Sequence, residues 1–167
     1  QLAKAQGAEM YSFAERAYKE GAFAVAAEAY KEAIAAPLSL QRLPHAKYGY
    51  AMAMKELSIR ADTSRDVVPA SGSVPESHSR FATAIDYFRN VIAEYPNSEF
   101  AARSYFQIGL LQFEKYFDVD GALSSFSNVE KFLSFGNSVL FDVAIKIGEV
   151  QTAKGDTSNA AQRFRTV

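Results

Sequence analysis

The sequence predicts an all-α protein built from about four antiparallel helix pairs, and three observations carry that prediction. First, a small residue followed four positions later by an aromatic, and three after that by a small or β-branched residue, recurs as Ala26/Tyr30/Ala33, Ala84/Phe88/Val91, Ala122/Phe126/Val129 and Ala160/Phe164/Val167. Second, each trio is preceded by an amphipathic segment with a small residue at its contact point: Ala14, Gly49, Gly109 and Gly148. Third, the 167 residues hold 28 Ala, 5 Pro, no Cys and no Trp, a composition that favours closely packed helices over a disulfide-stapled or β-rich fold.

Spacing of four and three puts each trio on one helical face, where alanine permits close backbone approach and the aromatic ring fills the space beside it. These faces define the second helix of each pair. The interval from first-helix contact to trio alanine is 12 residues from Ala14 to Ala26, 13 from Gly109 to Ala122 and 12 from Gly148 to Ala160. Such lengths fit two helices and a tight turn. Gly21 and Gly155 fall where a first helix ends in a left-handed residue, and Asp118-Val119-Asp120-Gly121 makes the corresponding turn in the third pair. Tyr95-Pro96-Asn97-Ser98 and Gly136-Asn137-Ser138 each stop one helix and supply caps for the next. The expected repeats are therefore 7–40, 41–98, 99–137 and 138–167, within one domain spanning residues 1–167.

The second repeat is irregular. From Gly49 to Ala84 the interval is 35 residues, about 23 more than in the first and last repeats. The surplus, 58–79, is rich in Ser, Pro and Asp and lacks helical periodicity. It reads as a surface insertion, or as an extension of the first helix through Ile59 followed by a loop that folds over the binding groove.

A small contact residue, a glycine turn, an alanine, an aromatic and a terminal proline together resemble the tetratricopeptide repeat over nearly the whole chain. The usual early tryptophan is missing; Met10, Tyr105 and Ala144 stand in its place in the first, third and fourth repeats. Tyr95-Pro96-Asn97-Ser98-Glu99-Phe100-Ala101-Ala102 and Tyr105-Phe106-Gln107-Ile108-Gly109 are similar in wording to bacterial cell-envelope members, of the Tol-Pal and outer-membrane β-barrel assembly types. The resemblance implies a right-handed superhelical solenoid, a protein or peptide partner held on its concave face, and placement in the periplasm or at the outer membrane, with the cytoplasm as the alternative.

Chemistry is sparse. With no Cys and only His45 and His78, no zinc site can be assembled, and His45 beside Pro44 reads as a helix-start residue. Asp118 and Asp120 resemble the opening of a calcium loop, but the glycine and closing glutamate do not fall where one needs them, so the two read as turn and cap residues. No serine has a paired base in a strand-turn-helix elbow, and the nine Gly are scattered rather than gathered into a phosphate cradle. Neither catalytic residues nor cofactors are expected. Eighteen basic against nineteen acidic residues give a net charge of −1, which argues against nucleic acid as the main partner. No apolar run reaches the ~20 residues that span a bilayer, and no signal peptide is evident at Gln1. The helical pattern of Arg163–Val167 has no capping residue, so the sequence reads as part of a longer chain whose other segments could carry a signal or anchor.

In a solenoid of this type the first helices line the concave face, so their residues outside the core are the candidate contacts. The family pattern implies Tyr11, Glu15, Tyr18 and Lys19 in the first repeat, Tyr50, Ala53 and Met54 in the second, and Arg103, Phe106, Leu110, Phe113 and Glu114 in the third. Rigid aromatics with a few charges suit a peptide groove, because they bury area at small entropic loss. Members that clamp a chaperone's terminal carboxylate use Lys and Asn at positions held here by Tyr11 and Glu15, and Glu15 would repel that carboxylate. Self-assembly through the Ala-rich face of Ala22–Ala36 and the open last helix, giving a homo-oligomer, is the alternative from a different class, as is a regulatory domain of a larger protein.

Overall fold

The computed structural model describes residues 2–63, 76–132 and 137–165. Among them are eight helices: α1 Leu2–Lys19, α2 Phe23–Ala35, α3 Leu43–Thr63, α4 Glu76–Glu94, α5 Glu99–Glu114, α6 Val119–Glu130, α7 Asn137–Ala153 and α8 Thr157–Arg165. The described residues contain no strand. The architecture is an all-α helical repeat, with the helices falling into two compact units, 1–91 and 92–167.

In the first unit α2 packs on both α1 and α3. The trio Ala26, Tyr30 and Ala33 is buried, as are Ala14 and Ala17 of α1 and Ala46 and Ala53 of α3. The alanines let three helix backbones approach closely enough for Tyr30 to lie against Gly49. Ala84, Phe88 and Val91 of α4 are buried too, with the Phe88 ring 5.8 Å from Tyr48 of α3. The turn after α1 closes as its glycine predicts: Gly21 has φ +75°, and the Ala22 amide donates back to the Ala17 carbonyl at 2.8 Å.

In the second unit Phe126 of α6 lies against Gly109 of α5, and Phe164 of α8 against Gly148 of α7. Val129, Val143, Ile147 and Val150 complete that core. Gly155 (φ +85°) repeats the Gly21 turn, with the Asp156 amide reaching the Gln151 carbonyl at 2.9 Å. Ion pairs tie α6 to the next hairpin: Arg163 of α8 to Glu130 of α6, and Lys154, just after α7, to Asp120 of α6, each at 2.7 Å.

Three expectations need correction. The α5–α6 turn is not made by Asp118–Gly121: Phe117 takes the left-handed conformation (φ +55°), and Asp118 is the N-cap of α6, accepting from the Gly121 amide at 2.9 Å. A Cβ at Gly121 would sit 2.1 Å from the Asp118 carboxylate, so the glycine serves the cap. The stretch 58–79 is also partly helical. Residues 58–63 continue α3, because Ser58 is buried with its hydroxyl on the Met54 carbonyl and Arg60 stacks over Phe23 at 4.5 Å; residues 76–79 open α4, so His78 stands in a helix. Residues 64–75 lie outside the described residues, as do Gly136 and Val167. Finally, Phe164 is 47% exposed, in contrast to the aromatics of the other trios, because α8 is followed within the described residues by no further helix that would cover it.

Candidate functional site

The candidate site of the first unit grows from two residues one helical turn apart on α1. Tyr11 and Glu15, spaced i,i+4, share one face of the helix, and that face looks at α2 and α3. From α2 the Tyr30 hydroxyl donates to Glu15 Oε1. From the first turn of α3, His45 places Nε2 3.7 Å from the same oxygen and Nδ1 in hydrogen-bond contact with the Tyr11 hydroxyl. The Tyr11 ring stands edge-on to both Tyr30 and His45, at 6.4 and 5.6 Å, and the Arg42 guanidinium lies 5.6 Å from its centroid. Three helices thus converge on one carboxylate. Side-chain exposures of 26% for Glu15 and 37% for His45 keep the pair at the surface rather than within the core.

Beside the carboxylate opens a cleft of about 160 Å³ lined by Glu15, Tyr18, Lys19, Tyr30, His45, Tyr48, Gly49 and Met52. Its phenols resist ionisation. Tyr30 is pushed up by burial first and by its hydrogen bond to Glu15 second. Tyr18 is pushed up to about 12, again chiefly by burial, then by the charges of Glu56, Tyr48 and Glu15. Tyr11 is raised by burial and Glu15, with Arg42 opposing. As neutral hydroxyls these groups donate and accept hydrogen bonds across the ordinary pH range.

Of the remaining first-unit candidates, Lys19 is exposed at the cleft rim. Tyr50 turns to α4, its ring edge-on to Tyr87 at 4.8 Å and the hydroxyls 3.5 Å apart, which with burial lifts its pKa to about 12. Met54 is half-buried against the alanine core, and Ala53 is fully buried: it belongs to the core, because its face of α3 packs on α2. In the second unit Arg103 is held by Glu99 one turn back (Nε to Oε1, 2.6 Å). Phe106 lies 5.6 Å from the Phe126 ring, and Leu110 and Phe113 pack partly buried on the same core, while Glu114 is exposed.

Sequence reasoning passed over His45, Tyr30 and Tyr48. A signal for His45 was present, since it precedes the contact glycine Gly49 by four residues and so shares its helical face. For Tyr30 the signal was its hydroxyl: it is the one trio aromatic that needs a polar partner when buried.

Helix hairpins with small-residue seams, and first helices carrying aromatic and charged side chains, define an all-α helical-repeat protein. Residues 45–98, which take in α3 from His45 onward, α4 and the turn after it, match the family model described as tetratricopeptide repeat. A solved structure described as "MamA RS-1 ArsTM double mutant" is 17% identical, with 96% of this chain and 91% of that chain covered and a TM-score of 0.45. No curated protein matches the sequence.

Proposed function

We propose that this chain is a non-enzymatic interaction scaffold whose first-helix faces bind a peptide or a segment of a partner protein. The observation that carries the reading is the cleft between α1, α2 and α3, where tyrosines and one carboxylate stand open beside an alanine-packed core. Rigid aromatics of this sort bury area on binding at little entropic cost, and tetratricopeptide repeats generally serve protein–protein interaction. The similarity of the Tyr95–Gly109 wording to cell-envelope members supports a role in a bacterial envelope assembly.

Site-specific photo-crosslinking tests the reading one position at a time. A crosslinker placed singly at Lys19, Tyr50, Arg103 or Glu114 should trap a partner in cells of the source organism, whereas one at Glu28, Arg89 or Ser127, exposed on second helices, should not. Trapping only from the second-helix positions would overturn the assignment of the face.

A further inference from the structure

The geometry points to the cleft beside Glu15 as a receptor for a lysine side chain of the partner, with the ammonium on Glu15 Oε2 and the alkyl stem among Tyr18, Tyr30, Tyr48 and Met52. This rests on the interaction-scaffold reading and deepens it. Three observations carry it.

The cleft is small, about 160 Å³, which suits one side chain rather than a length of peptide. Its walls are tyrosine rings and a thioether, surfaces that take a methylene stem and attract a cation through the ring faces. Its one carboxylate is half engaged: the Tyr30 hydroxyl and His45 both address Oε1, while Oε2 has no hydrogen bond or ion pair among the described residues. With one acceptor site of Oε1 taken by Tyr30, the carboxylate meets a two-oxygen guanidinium fork less well than a free one does, while Oε2 still accepts from a point charge. That asymmetry favours lysine over arginine.

Two basic side chains stand at the rim. His45 lies at 3.7 Å on the Oε1 side, leaving Oε2 to a ligand. Lys19, one turn after Glu15 on α1, lines the cleft and forms no ion pair with it among the described residues, yet at i,i+4 spacing it can swing onto Oε2 when the cleft is empty. Lys19 is therefore a built-in competitor for the site.

The test is an NMR titration of the full chain with Nα-acetyl-lysine methylamide, with the norleucine and arginine analogues as controls. The lysine probe should give saturable millimolar shifts at the amides of Tyr18, Lys19 and Gly49, at least about tenfold tighter than norleucine and several-fold tighter than arginine. Glu15→Gln keeps an acceptor for Tyr30 and should lose about tenfold in lysine affinity; Lys19→Ala should gain two- to fivefold. Equal binding of norleucine, no saturable shift at these amides, or unchanged affinity in Glu15→Gln with a native spectrum would overturn the proposal. Each of those results leaves the scaffold reading standing if crosslinking still maps to the first-helix faces, and crosslinking to second helices alone sinks that reading whatever the probes show.

Discussion

Replacing glycine by alanine at two equivalent seams of the second unit should have opposite effects on stability. A Cβ at Gly109 would stand 2.6, 2.8 and 2.9 Å from three carbons of the Phe126 ring; one at Gly148 would stand 2.6, 2.7 and 3.1 Å from the Phe164 ring. Carbon pairs rest at about 3.5–4.0 Å, so each ring must give way by roughly 1 Å. Phe126 is 0% exposed with Phe106 at 5.6 Å behind it, and has nowhere to go. Overpacking of that kind costs about 1–3 kcal/mol, against about 0.8–1.0 kcal/mol gained in helix propensity, so Gly109→Ala should destabilise by about 1 kcal/mol. Phe164 is 47% exposed and can rotate toward solvent, so Gly148→Ala should keep most of its propensity gain and stabilise by about 0.5 kcal/mol. For a chain of this size the two variants should straddle the parent melting temperature, several degrees apart. Urea unfolding followed by circular dichroism reads the difference. Agreement of the two variants within about 0.5 kcal/mol, or a larger loss at Gly148, would refute the argument that ring mobility decides the cost. Adding Phe126→Leu to Gly109→Ala should recover part of the loss as a favourable coupling.

Phe117 combines a left-handed backbone with a ring 81% exposed, so Phe117→Asn should stabilise by about 0.5–1 kcal/mol, read by thermal denaturation; a loss would show that the ring makes a contact worth more than the strain. Ser98→Ala removes the side-chain acceptor of the Ala101 amide at 3.1 Å and should cost about 1 kcal/mol by the same measurement. Ultraviolet titration of the nine tyrosines should show a subset ionising near pH 12, including Tyr18 and Tyr50. Their folded-state pKa values lie above the ordinary value of 10, so the stability they contribute is complete below pH 10 and falls as pH rises toward 12; a single tyrosine transition near pH 10 with the helices intact would contradict their burial.

The helix pairs were legible because packing imposes a period on residue size. Where α2 meets its neighbours alanines let the backbones close up, and where Phe126 lies across α5 a glycine makes the room, so Ala26, Gly109 and Phe126 announce their places. Turns were legible where glycine supplies the left-handed residue, at Gly21 and Gly155, and misread where Phe117 supplies it, since no residue preference marks a phenylalanine for that conformation. An extension of α3 through Ile59 was one of two readings of the insertion; its run on to Thr63 was hidden because Arg60 looks like a loop residue in sequence, though it stacks on a ring brought by α2, while Ser58 donates to the Met54 carbonyl of its own helix. The site was half legible for a similar reason. Tyr11, Glu15 and Tyr18 were candidates through the family pattern of the first helix, whereas His45 and Tyr30 join them only once three helices meet.

That meeting makes one hydroxyl decisive for both fold and recognition. Three trios use phenylalanine where the first uses Tyr30, and a buried phenol must find an acceptor. Its acceptor is Glu15 Oε1, the bond that leaves only Oε2 for a ligand. Tyr30→Phe should therefore do two things. It removes a hydrogen bond to a charged group, which costs about 1.5–3 kcal/mol when the acceptor is left bare and less here, because Glu15 is partly solvated and keeps His45 at 3.7 Å; about 1 kcal/mol is the expected loss in urea unfolding. It also returns the second oxygen to the cleft, so that a guanidinium fork can be met by both. In the probe titration the preference for lysine over arginine should shrink toward parity or reverse, with arginine affinity rising. If Tyr30→Phe unfolds no more easily than the parent and leaves the ratio of the two affinities untouched, the commitment of Oε1 is not what sets the selectivity of the cleft.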